Sequence, residues 1–136
     1  MEKFRLKTYV QVEVNDNGDT IKVYVADMDY KRRFNSVLQE FNEISETLYS
    51  DEILKLSDEE RTQYMIDKMK NVVRKIDDIF GKDCCRKVFG DIIPSPDYVA
   101  DFFKEIAKVI QKYDLERKKE LAMRYSESRK GAESDV

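Results

Sequence analysis

Histidine is absent from this 136-residue chain. That single gap removes Ser-His and Cys-His nucleophile pairs and the usual imidazole ligands for metals. Cysteine occurs only twice, as the neighbours Cys84 and Cys85, which makes no disulfide framework and suits a reducing compartment. The four glycines are too dispersed to cradle a phosphate, and no P-loop, dinucleotide-binding fingerprint or nucleophile elbow is present. No run approaches the ~20 apolar residues of a membrane span. The opening "MEKFRLKTYV" has no hydrophobic signal core, so a cytoplasmic protein without a membrane partner is expected. With four glycines and two prolines, few breaks are available, and long helices are expected.

What the chain has in quantity is charge of both signs. Its 28 acids and 25 bases are interleaved, for a net −3. Nucleic-acid binding needs a concentrated cationic surface, and only short pairs such as Arg32-Arg33 and Lys118-Lys119 are visible, which argues against it. The length suits one compact domain with one core.

Between residues 4 and 26 apolar residues recur at every second position, through Phe4, Leu6, Val10, Val12 and Val14, then Ile21, Val23 and Val25. That is strand periodicity, and Asn17-Gly18 suits a tight type I′ turn, so a hairpin is expected. A two-residue turn there places Val14 opposite Ile21, Val12 opposite Val23 and Val10 opposite Val25. The other face then pairs Glu13 with Lys22 and Gln11 with Tyr24. A calcium loop in "NDNGD" fails: with Gly18 as the sixth position, the twelfth is Tyr24 where a bidentate Glu is required. A lone ribbon is marginal in water, so its aliphatic face must be covered by helices or by another subunit.

Three helices follow, about 28–48, 58–80 and 96–125. The first has its stripe at Tyr30, Phe34, Val37, Leu38, Phe41, Ile44 and Leu48, with Asp27 or Asp29 as cap. Ser57 and Glu60 form a capping box ahead of the second, and Gly81 ends it as a left-handed C-cap. Ser95-Pro96 opens the third, whose stripe runs from Val99 to Tyr113 before the charged "DLERKKE" and an apolar return at Leu121, Ala122 and Met123. Residues 1–125 thus read as one α+β, mostly helical domain. An N-terminal β-hairpin packs on about three long helices plus one short helical turn. Residues 126–136 have the composition of a disordered tail.

Chemistry is scarce. Neighbouring acids such as Asp77-Asp78 or Glu59-Glu60 point about 100° apart on a helix and do not converge on a substrate. Asp77 lies near a helix C-terminus, where a basic partner such as Lys82 or Arg86 is expected. Cys84-Cys85 cannot complete a zinc site in one subunit without hard carboxylate ligands, and adjacent residues bridge poorly. Packing residues are the favoured reading, with a reactive thiol or an intersubunit metal as the alternative. Read structurally, "DDIFGKDCCRKVFGD" is a corner: Phe80 closes a helix, Gly81 turns the chain, Asp83 caps a short turn, Phe89 inserts and Gly90 turns again. No catalytic, cofactor-binding or metal-binding residues emerge.

The order of parts, the segment "KIDDIFGKDCCRKVFGD" and the later "YVADFFKEIAKVIQKY" resemble the small tail assembly chaperones of long-tailed bacteriophages and prophages of Gram-positive bacteria. Ile76, Asp77, Phe80, Gly81, Phe89 and Gly90 carry the likeness; the paired cysteines do not. The resemblance implies a protein without catalysis or cofactor that binds tape measure protein and tail tube protein before the tail polymerises. It also implies a family often made in a longer, frameshifted form. Apolar grooves with a mixed-charge rim suit that task. The surfaces expected to meet a partner are the outer hairpin face at Tyr9 and Tyr24 and the extension at Leu121, Met123 and Tyr125, and a homo-oligomer is compatible with both. The alternatives are a structural tail or head-tail component and, in a third class, a small nucleic-acid-binding regulator.

Overall fold

The computed structural model describes residues 1–134, with side-chain environments through residue 127. The chain folds as an α+β, mostly helical protein: a two-stranded antiparallel hairpin packs against helices. The elements are β1 (Val10–Glu13), β2 (Thr20–Val23), α1 (Met28–Thr47), α2 (Asp51–Leu54), α3 (Asp58–Phe80), α4 (Cys84–Phe89) and α5 (Pro96–Ser134).

The hairpin forms in a different register from the one the turn dipeptide suggests. Val10 pairs with Val23, Gln11 with Lys22, Val12 with Ile21 and Glu13 with Thr20. Asn15 decides the outcome. Its Oδ1 accepts from the backbone of Asn17 and Asp19, and its Nδ2 donates to Asp19 Oδ2 and to Lys87 O of α4. With Val14 N donating to Asp19 O at 2.9 Å, the loop holds Asn15 to Gly18 rather than Asn17-Gly18 alone. An Asx turn competes locally with the two-residue turn, and here it wins. The shift is by two residues, so each strand keeps its faces. The aliphatic side packs on the core as expected, while Lys22 stands opposite Gln11 rather than Glu13.

Asp27 caps α1, its Oδ1 accepting from Asp29 N at 2.9 Å and Tyr30 N at 3.2 Å. The helix buries Tyr30, Phe34, Val37, Phe41 and Ile44, an alternation of four and three that holds one face to the core. Before α3 the connector forms the single turn α2, which buries Ile53. Only half of the capping box appears: Ser57 Oγ accepts from Glu60 N, with no return bond from the Glu60 side chain. From α3 come Met69, Val72 and Ile76, and from α5 Val99, Phe102, Phe103 and Ile106.

Phe80 stands where these elements meet, edge-on to Tyr30, Phe34 and Phe102 with ring centroids 5.5, 6.1 and 5.4 Å away. Phe103 links Phe34 and Phe41 to Phe102. Buried rings in edge contact add to their area burial, so this aromatic chain ties the helices into one core.

α5 leaves the core after Tyr113. Lys31 Nζ of α1 pairs with Asp114 at 2.8 Å, and every residue from 118 to 127 is exposed. The helix nevertheless continues through Ser134, whereas the composition reads as a tail from residue 126. A polar stretch with few helix breakers can prolong a helix already nucleated by packing. Residues 135–136 of the expected tail lie outside the described residues.

Candidate functional site

The α3–α4 corner holds the side chains that looked most like chemistry. Gly81 ends α3 with φ +119° and ψ 152°, a conformation open only to glycine and distinct from the left-handed helical cap expected. It reverses the chain tightly enough that Asp77, in the last turn of α3, reaches the start of α4. Asp77 Oδ1 accepts from Cys85 N at 2.9 Å. Neither expected basic partner forms an ion pair with Asp77 among the described residues: Arg86 pairs with Asp91 at 3.1 Å instead, while Lys82 only shares a shallow groove with Asp77. Asp83 occupies the N-cap position of α4 but makes no side-chain cap bond, so Asp77 caps that helix from eight residues upstream. Gly90 closes α4 with its N–H on Arg86 O at 2.9 Å, and Phe89 packs half-buried against Phe102.

Both thiols are buried and free. Burial, then the charge of Asp77, pushes the Cys84 thiol up from 9.0 to about 12. The same causes raise Cys85 further, and its Sγ lies 3.6 Å from Val73 O. A protonated, enclosed thiol is a poor nucleophile and a poor ligand. Among the described residues no three His, Cys, Asp or Glu side chains gather where they could hold one metal ion. The corner is built to hold α4 in place.

The outer face of the hairpin differs. Tyr9 and Tyr24 are each 40% exposed, with ring centroids 5.8 Å apart, and Lys22 Nζ sits 4.9 Å from the Tyr9 ring centroid. Tyr24 also meets Tyr30 at 5.7 Å, so the pair is the visible end of the aromatic chain that runs through Phe80. The Tyr30 hydroxyl is buried, and burial raises it above the ordinary phenol range.

A family model, described as a family of unknown function (DUF6673), matches residues 17–134. The chain belongs to that family. No curated protein and no solved structure matches it. The DUF6673 match takes in β2, all five helices, Tyr24 and the extension, while Tyr9 and β1 lie before it.

The three extension residues are exposed but do not share a face. Leu121 and Tyr125 stand one turn apart on the same side of α5, whereas Met123 lies about 160° around the helix from both. The positions that continue the buried stripe past Tyr113 are Arg117, Glu120 and Arg124, with Arg117 paired to Glu120 at 3.0 Å. A groove of about 470 Å³ separates these residues from the N-terminal segment at Arg5 and Lys7. Four bases thus gather beside Glu116 and Glu120. The linear sequence hid this, because residues 5–7 and 117–124 meet only through the hairpin. Among the described residues no helix is long and apolar enough to cross a membrane.

Proposed function

We propose that this DUF6673 protein is a non-catalytic assembly chaperone that works in the cytoplasm of a bacterial host. It would cover amphipathic helices of a phage tape measure protein, tail tube subunits or both before the tail polymerises. The resemblance in the α3–α4 corner supports the reading, and one structural observation carries it. Half of a 39-residue helix projects beyond its own core, carrying Leu121 and Tyr125 at 51% and 70% exposure. Such a helix offers a ledge on which another amphipathic helix can lie, with charges at the rim to fix its direction.

Co-expression with a tape measure protein from the same phage tests this. The account expects the partner to remain soluble and to co-purify, and Leu121→Glu/Tyr125→Glu to lose it while remaining folded. Self-assembly into rings or tubes with no partner would instead indicate a structural virion component. Salt-sensitive DNA binding as the principal interaction would indicate a regulator.

A further inference from the structure

The segment ahead of β1 carries the alternation of a strand but has no partner strand among the described residues. Residues 4–9 continue the alternation of β1, with Phe4 and Leu6 in phase with Val10, Val12 and Val14, and Arg5 and Lys7 in phase with Tyr9, Gln11 and Glu13. β2 cannot follow the arm: after Ala26 N reaches Thr8 O at 3.2 Å, the chain turns into α1. Phe4 is left 86% exposed and Leu6 64%. Ile21 and Val23 of β2 are fully buried, yet the valines of β1 beside them are only half-covered.

Backbone parity shows which edge is open. Val14 N bonds across to Asp19 O, so the even-numbered residues of β1 spend their backbone groups on β2, and Tyr9, Gln11 and Glu13 point theirs away from it. Among the described residues nothing pairs with that outer edge, since the sheet has two strands. An open edge next to an unpartnered alternating segment is a template for another strand.

We propose that two copies of this chain pair their arms and β1 strands antiparallel about a two-fold axis, Tyr9 opposite Tyr9, to make one four-stranded sheet. In that register Arg5 faces Glu13 of the second copy and Lys7 faces Gln11. On the other side of the sheet Thr8 meets Val10, Leu6 meets Val12 and Phe4 meets Val14. The bonding residues are the odd-numbered ones whose groups are free, giving about ten backbone hydrogen bonds across the dyad. A slip of the pairing to centre on residue 8 sets Glu2 against Val14, and a slip to centre on residue 10 runs Phe4 and Arg5 past the end of β1, against the Asn15–Gly18 loop. Only the Tyr9-centred register keeps apolar with apolar while placing the Arg5 charge on an acid. The contact is isologous and closes at two copies. It goes beyond the chaperone reading and does not depend on it.

Sedimentation of the full chain over a range of concentrations reads the dimer. Arg5→Glu and Glu13→Arg should each weaken it about 10-fold or more, because each places like charges opposite one another twice per dimer, and the double reversal should restore it. Circular dichroism confirms that each variant is folded. Mild oxidation of Tyr9→Cys should give a covalent dimer, since bonded partners lie about 5.5 Å apart at Cα. Gln11→Cys should not, since its counterpart sits about 14 Å away. A monomer at every concentration would overturn the proposal. So would a dimer indifferent to both charge reversals, or Gln11→Cys cross-linking as readily as Tyr9→Cys.

Discussion

Replacing Asp77 by alanine should loosen the corner that the sequence marks most strongly. Its half-buried carboxylate accepts a 2.9 Å hydrogen bond from Cys85 N in the first turn of α4. Hydrogen bonds to charged acceptors are worth about 1.5–3 kcal/mol, and helix caps about 0.5–2 kcal/mol. Asp77→Ala should therefore cost about 2 kcal/mol, which for a chain of this size lowers Tm by roughly 6–10 °C. Asp77→Asn keeps an acceptor oxygen and should cost under about 1 kcal/mol. Asp83→Ala should be nearly silent, because Asp83 makes no cap bond despite its position. Urea unfolding followed by circular dichroism gives the three values. Native-state labelling of Cys84 and Cys85 by a thiol reagent gives a second readout, and should accelerate only in Asp77→Ala. Greater destabilisation by Asp83→Ala than by Asp77→Ala, or unfolding of Asp77→Ala at the wild-type urea concentration, would show that Asp77 does not cap α4.

Phe103 is 2% exposed and touches the rings of Phe34, Phe41 and Phe102, so Phe103→Ala should cost about 3–5 kcal/mol in the same urea assay. Gly81→Ala should cost about 1–3 kcal/mol through backbone strain alone, since a Cβ there meets nothing within 4 Å. A neutral result would mean that the turn relaxes. The two thiols should make the protein sensitive to alkali. Their ionisation is suppressed in the folded state, so their contribution is intact below pH 9 and is lost as pH rises from there towards the folded value of about 12 for Cys84. Each thiol should steepen the decline by about 1.4 kcal/mol per pH unit above pH 9, and Cys84→Ala/Cys85→Ala should flatten that limb in denaturation curves taken at successive pH values.

Helix positions were legible in the sequence wherever a periodic stripe met a capping residue. Asp27 and Ser57 sit where α1 and α3 begin, and the apolar stripe of α5 is buried from Val99 to Ile106 and half-buried from there to Tyr113. What escaped were contacts decided by side chains reaching outside their own element. Asn15 binds Lys87 O across 72 residues and sets the hairpin loop, so Asn17-Gly18 alone could not. Asp77 caps a helix it does not belong to, a role invisible until Gly81 folds α4 back on α3. The spacing of Leu121, Met123 and Tyr125 already implied that Met123 faces away from the other two, since two residues turn a helix by about 200°. The groove joining Arg5 and Lys7 to Arg117 and Arg124 had no linear signature.

Hydrogen exchange on the purified protein, alone and bound to a co-expressed tape measure segment, tests most directly whether the outer half of α5 is a working surface. Residues 99–106 should be protected in both samples, because Val99, Phe102, Phe103 and Ile106 anchor that stretch in the core. Residues 114–127 should exchange quickly alone, as an unpacked helix of this length is marginal in water, and slow markedly in the complex. Protection of 114–127 equal to that of 99–106 in the protein alone, or no change on binding, would contradict the account.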